Sequence, residues 1–154
     1  MTRQGSRARE LGSEYAAGVV DSPALKLTQL EGIARGFPDV QLVALFGSLA
    51  RGQALRTSDA DFAVLGGSFW QGLSLGAALG SALGREPHVV ELETASDLLR
   101  MQVARDGKLV FEREPGLWVR FRAESVVRWM DVAPMVELCA AGVRKRLQQE
   151  ARRG

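Results

Sequence analysis

The 154 residues predict a single α/β domain: a small mixed sheet of about four strands backed by helices, followed by a long C-terminal helical segment. Three observations carry this. Short apolar runs bounded by glycine alternate with helix-period segments, which is the pattern of strands interleaved with helices. The length suits one domain with its own core. The last third, from residue 117 to 148, is the longest stretch with helical periodicity.

The elements follow in order. Residues 1 to 21 read as a polar, flexible arm, and the domain is expected over 22 to 150. Ser22-Pro23 has the form of a capping serine with proline in the first turn. Leu27, Leu30, Ile33 and Ala34 continue it as a helix that Gly36 and Pro38 stop. Leu42 to Phe46 is a continuous apolar run ended by Gly47-Ser48, as expected of a buried strand. Residues 49 to 58 leave room for one helical turn and a loop. Asp59 to Leu65 alternates and predicts a second strand, closed by Gly66-Gly67. Residues 69 to 83 predict a helix with Trp70, Leu73 and Ala77 on one face.

Val89, Val90 and Leu92 predict a third strand. Thr94 and Asp97 suggest a capping box for the next helix, lined by Ala95, Leu98, Leu99 and Val103 and ended by Gly107. Lys108 to Phe111 predicts the fourth strand. In the last segment Val119, Ala123, Val126 and Met130 form one stripe, and Val136, Ala140, Val143 and Leu147 another. Pro134 between them is expected to kink or break the helix.

Composition excludes several chemistries. One cysteine, Cys139, rules out a disulfide framework, and one histidine, His88, rules out a histidine-cluster metal site. Cys139 is expected to be packed and inert, and Asp131 to lie at the surface. A metal would have to be held by carboxylates, which favours Mg²⁺ or Mn²⁺. No apolar run is long enough to span a bilayer, and the basic N-terminus has no apolar stretch behind it. A cytoplasmic protein without membrane contact is expected. The formal net charge of +2 gives no ground for nucleic-acid binding.

The chemistry is concentrated in LVALFGSLARGQALRTSDADFAVL, residues 42 to 65. Glycine at the end of a buried strand lets backbone approach an anion closely, and Ser48 adds a hydroxyl donor. Asp59 and Asp61, two apart on a strand, would stand on one face. Two carboxylates side by side on an apolar strand call for a positive charge between them, and Mg²⁺ meets that need with oxygen ligands.

Gly47-Ser48, then Ala50-Arg51-Gly52, then Ser58-Asp59-Ala60-Asp61 and Val64, resembles the signature of the DNA polymerase beta-like nucleotidyltransferase superfamily. The Ala-Arg-Gly and the serine before the first aspartate resemble its minimal nucleotidyltransferase branch, and the resemblance extends over about residues 25 to 150. It implies that Gly47 and Ser48 bind a triphosphate, with Arg51 and Ser58 as further nucleotide contacts. It implies that Asp59 and Asp61 hold Mg²⁺ or Mn²⁺, and that ATP is the donor of a nucleoside monophosphate. The acceptor it implies is a hydroxyl on a protein partner, possible members of that class being HEPN-type toxins that such antitoxins silence. An aminoglycoside-type small-molecule acceptor and an antitoxin that works by docking alone are the rivals.

The sequence departs from the family pattern at the third carboxylate. His88 stands at its expected place in Pro87-His88-Val89-Val90-Glu91-Leu92. Three readings stay open: His88 as general base, Glu91 serving through a bulge, or a site that binds nucleotide and turns over slowly or not at all.

Overall fold

The computed structural model describes residues 23–152. Helix α1 spans Pro23–Arg35, strand β1 Val40–Phe46, the single turn α2 Gly47–Ala50, and strand β2 Ala60–Gly66. Helix α3 spans Phe69–Leu83, β3 Pro87–Glu91, α4 Asp97–Asp106, β4 Lys108–Glu112 and α5 Leu117–Ala151. The N-terminal arm and the Ser22 cap lie outside the described residues.

The strands form one mixed sheet in the order β3-β2-β1-β4. β1 is antiparallel to both β2 and β4, whereas β2 and β3 run parallel, joined through α3. Both faces of the sheet are covered, which is why the central strands read as continuous apolar runs. Val43, Leu45, Phe62 and Val64 pack with Leu30, Leu75 and Leu79 on the α1/α3 side. Leu42, Ala44 and Ala63 pack with Val103, Trp118 and Phe121 on the α4/α5 side. By the two-residue period of a strand, Asp61 lies on the face of Ala63.

Several expected details change. β2 begins at Ala60, so Asp59 sits one residue ahead of the strand. On α3 the expected stripe is exposed: Trp70 and Leu73 face solvent, while Gly72, Leu75, Gly76, Leu79 and Gly80 are buried. The glycines let the helix lie close to β3: a Cβ on Gly76 would come within 2.4 Å of Val89 Cγ2, and one on Gly80 within 2.7 Å of the Arg85 carbonyl. The glycines and Leu75 and Leu79 share the buried side, and Trp70 and Leu73 are left outside.

Helix α4 is capped by Ser96, whose hydroxyl accepts from the Leu99 amide at 3.2 Å, in place of Thr94, and Leu98 is exposed. Arg100 is buried in its stead. Its Nη1 donates to the Leu92 carbonyl and its guanidinium lies 4.8 Å from the centre of the Phe121 ring. Burial, then the charge of Arg128, lowers its pKa from the usual arginine range.

Helix α5 is continuous through Pro134. The missing N–H falls on an exposed stretch, where water can satisfy the freed carbonyl. Its buried residues are Trp118, Phe121 and Ser125, while the expected stripe of Val119, Val126 and Met130 is exposed. Trp118 sits one position and Phe121 two positions from Val119, on a different face of the helix. Glu112 at the end of β4 anchors the helix start by accepting from the amides of Gly116 and Trp118, at 3.3 and 2.8 Å. Cys139 is exposed, not packed, because the last turns of α5 project beyond the domain.

Candidate active site

The site is built where β1 ends. Phe46 pairs with Asp61 across the antiparallel β1/β2 ladder, and Asp61 pairs with His88 across the parallel β2/β3 ladder. Asp61 therefore stands on a central strand, between the end of β1 and the head of β3. Gly47 follows with φ +72°, a conformation that disfavours any side chain. A Cβ there would meet Asp61 Oδ2 at 2.2 Å. The glycine is required twice over, by its backbone angle and by the carboxylate lying against it. The strand end and the acid are in this way locked into one unit.

His88 Nδ1 lies 3.0 Å from Asp61 Oδ1, with the imidazole well exposed. β3 keeps a regular register from Pro87 to Glu91, with no bulge against β2. Glu91, three residues on, lines a recess with Phe69 and Gly72 on the α3 side of the sheet. The bulge that would bring Glu91 beside Asp61 is absent, and His88 is the side chain at that place.

Asp59 is exposed and makes no hydrogen bond or ion pair with the described residues. Its placement comes from the loop before it. Ser58 Oγ accepts from the Leu55 amide at 2.9 Å, so its hydroxyl is engaged in the local turn. Arg85, at the head of β3, donates through Nη1 to the carbonyls of Leu55 at 2.9 Å and Ser58 at 2.6 Å. The Ala60 amide donates to the Glu86 carbonyl at 2.8 Å. Sequence reading passes over Arg85, because an arginine before a strand carries no signal; only the fold brings it to a loop some thirty residues upstream.

Ser48 is half-buried in α2, and its hydroxyl has no partner among the described residues. The first turn of a helix leaves N–H groups without intrahelical acceptors, so Gly47 and Ser48 offer donors beside the acid. Arg51 closes α2 and is tethered: Nε donates to Gln53 Oε1 at 3.3 Å, and Nη1 lies 3.6 Å from Asp106 Oδ2 at the end of α4. The Asp106 carboxyl is held below the usual carboxylate range, first by its hydrogen bond from Arg105 and then by the charges of Arg105 and Arg51.

The donor set fits a divalent cation that arrives with a triphosphate. Among the described residues, no group of three or more His, Cys, Asp or Glu gathers to hold a metal on protein ligands alone. Mg²⁺ is commonly held by one or two carboxylates with phosphate oxygens completing the shell. One recess of about 490 Å³ lies away from the acids, between α4 and α5. The acids stand at an open sheet end. No helix among the described residues is long and apolar enough to cross a membrane.

The chain is similar to several known proteins. Over 74 residues the chain is 39% identical to the protein adenylyltransferase MntA of Shewanella oneidensis, a match covering 46% of this chain and 53% of that protein. The chain thus spans about half the length of the curated relative it matches. A chain of a solved toxin–antitoxin structure with AMP-PNP superimposes with a TM-score of 0.67 at 26% identity, covering 77% of this chain and 98% of that one. A chain from the complex of a tri-AMPylated Shewanella oneidensis HEPN toxin with an MNT antitoxin shares the fold, with a TM-score of 0.63, 24% identity, and coverage of 79% and 98%. The family model described as polymerase beta, nucleotidyltransferase, matches residues 28–116, more than half of the chain and the whole of the site built from Gly47, Asp59, Asp61 and His88. The chain belongs to the polymerase beta nucleotidyltransferase family.

Proposed function

We propose that this chain is a cytoplasmic, metal-dependent adenylyltransferase that moves AMP from ATP to a hydroxyl of a protein partner, a toxin of the HEPN kind. The observation that carries it is the unit of Gly47 and Asp61: a glycine at φ +72° whose missing side chain makes room for the carboxylate. Family membership and the MntA likeness support the reaction class. The domain that does this work is taken as residues 22 to 150.

Asp59 and Asp61 would hold Mg²⁺ or Mn²⁺. The bound ion would polarise the α-phosphate and neutralise charge on the leaving pyrophosphate. Gly47 and Ser48 bind phosphate oxygens through backbone and hydroxyl donors. Arg51 reaches the phosphates once released from Asp106, and Ser58 shapes the loop that presents Asp59. The acceptor oxygen bonds to the α-phosphorus as the bond to the bridging oxygen breaks. With its Nδ1–H donated to Asp61 Oδ1, His88 keeps Nε2 free to take the acceptor's proton.

The test is calorimetry of ATP binding with and without Mg²⁺, on wild type and on Asp59→Ala/Asp61→Ala. Binding that requires Mg²⁺ and vanishes in the double variant is expected. A wild type that binds no triphosphate overturns the reading. One observation favours a second reading, docking without transfer: the residue paired with Asp61 on the neighbouring strand is His88, where the family resemblance leads one to expect a carboxylate. Transfer of label from α-labelled ATP to the partner separates the two. An Asp59→Ala protein that still neutralises the partner fully would establish docking.

A further inference from the structure

The proximal part of α5 buries one stripe, Trp118, Phe121 and Ser125, on the domain. At about 100° per residue the same stripe continues as Trp129, Ala133, Val136, Ala140, Val143 and Leu147. The intervals are four, three, four, three and four residues, the spacing of a coiled-coil seam. The last side-chain hydrogen bond from α5 to another element, among the described residues, is Arg128 Nε to Asp97 at 2.8 Å. Beyond it Val136, Val143 and Leu147 are 39, 57 and 59% exposed. The face that seals the core therefore runs on past the domain with nothing among the described residues packed on Val136, Val143 or Leu147 as on the core. Helix α5 has 35 residues, about 52 Å of helix, far more than its buried turns need.

We propose that this projecting half of α5 pairs antiparallel with the same half of a second copy of the chain. The residues flanking the seam select that occupant. Glu137 and Arg144 lie along one flank, Cys139 and Arg146 along the other. In the register that sets Ala140 against Val143 and Val136 against Leu147 of the second copy, Glu137 falls beside Arg144 of the second copy. Two-fold symmetry makes that pair twice. A slip of one heptad places Glu137 against Glu137 instead. Parallel pairing sets Glu137 beside Val132 and Arg144 beside Cys139, with no pair of opposite charges. Two alanines in the seam keep the contact small, so the association is weak and depends on concentration.

Sedimentation velocity over a concentration series on the whole chain tests it. A monomer–dimer equilibrium is expected; a monomer throughout overturns the proposal, whether another protein or another segment of the chain covers the face. Glu137→Arg alone and Arg144→Glu alone are expected to weaken the dimer about tenfold, and the double exchange to restore it. Loss of the dimer in the double exchange, at unchanged helical circular dichroism, refutes this register. Oxidation of Arg146→Cys should link two copies through Cys139 and position 146. A disulfide-linked dimer formed by the wild-type Cys139 alone would show the slipped register and overturn the charge pairing.

Discussion

Arg85 is the residue that ties the loop of Asp59 to the sheet, through the carbonyls of Leu55 and Ser58. Its contacts are to backbone carbonyls, so on the proposed reading it is a positioning residue. Arg85→Ala should leave the fold intact and lower nucleotide affinity about tenfold in the presence of Mg²⁺, the loss of roughly one or two hydrogen bonds to a charged donor. Affinity without Mg²⁺ should be unchanged, and Arg85→Lys should recover part of the loss. Calorimetry on the three proteins checks this; an equal loss with and without the metal would mean that Arg85 merely stabilises the domain. Arg51 shows the same dependence on a distant partner. The Asp106 carboxyl is depressed, so its contribution is present above the unfolded carboxylate range and is lost only as pH falls through the lower folded value. The tether on Arg51 is therefore intact at neutral and mildly acidic pH.

Helix α3 shows how an element can be packed by what its residues lack. Gly72, Gly76 and Gly80 lie on its buried side, four residues apart, against β3. The space over each differs. At Gly72 an added Cβ finds Val89 Cγ1 at 4.0 Å, an ordinary contact; at Gly80 it meets the Arg85 carbonyl oxygen at 2.7 Å. Both substitutions to alanine gain about 1 kcal/mol of helix propensity. Gly72→Ala should thus be neutral or stabilising. Gly80→Ala should lose about 1–3 kcal/mol of packing and come out destabilised, since backbone must move to admit the methyl. Urea unfolding midpoints compare the two directly. Equal effects would show that the helix shifts freely on the sheet. Because the displaced carbonyl belongs to Arg85, Gly80→Ala should also disturb the loop that Arg85 holds.

In the molecule as a whole, β1 and β2 are the only strands among the described residues with neighbours on both sides, and the candidate site lies at their end. They are also covered on both faces, by α1 and α3 and by α4 and α5. Amide hydrogen exchange should be slowest in Val43 to Leu45 and Phe62 to Val64, and should approach the global unfolding limit there. The projecting end of α5, with its side chains in water, should exchange fastest among the helices at low protein concentration. Rapid exchange in β2 would mean that the sheet end opens locally, and that Asp61 is less firmly placed than its contacts with Gly47 and His88 require. On the proposed reading, Asp61 on one of the stiffest strands, with the tethered Arg51 and the loop of Asp59 beside it, would give a rigid metal platform and softer nucleotide contacts.

The sequence by itself determined the type and order of the elements and the stretch that carries the chemistry. Glycine stops, apolar runs and the Gly-Ser to Asp-x-Asp spacing are local properties of the chain, and local properties are legible without a fold. It also singled out His88, which the register of β3 then sets opposite Asp61. Tertiary structure decided which side of each helix is buried. On α3 and α5 the periodicity admits more than one stripe, and the choice falls to close approach: glycines against β3, Trp118 and Phe121 against the α4 side of the sheet. It decided that Pro134 sits within an unbroken helix, because exposure there leaves the freed carbonyl to water. It decided, too, the contacts of Arg85 with Leu55 and Ser58, of Arg100 with Phe121 and of Asp106 with Arg51, which join segments far apart in sequence. A hydrogen bond or ion pair across the fold depends on where two segments meet, and no spacing within either segment encodes that meeting.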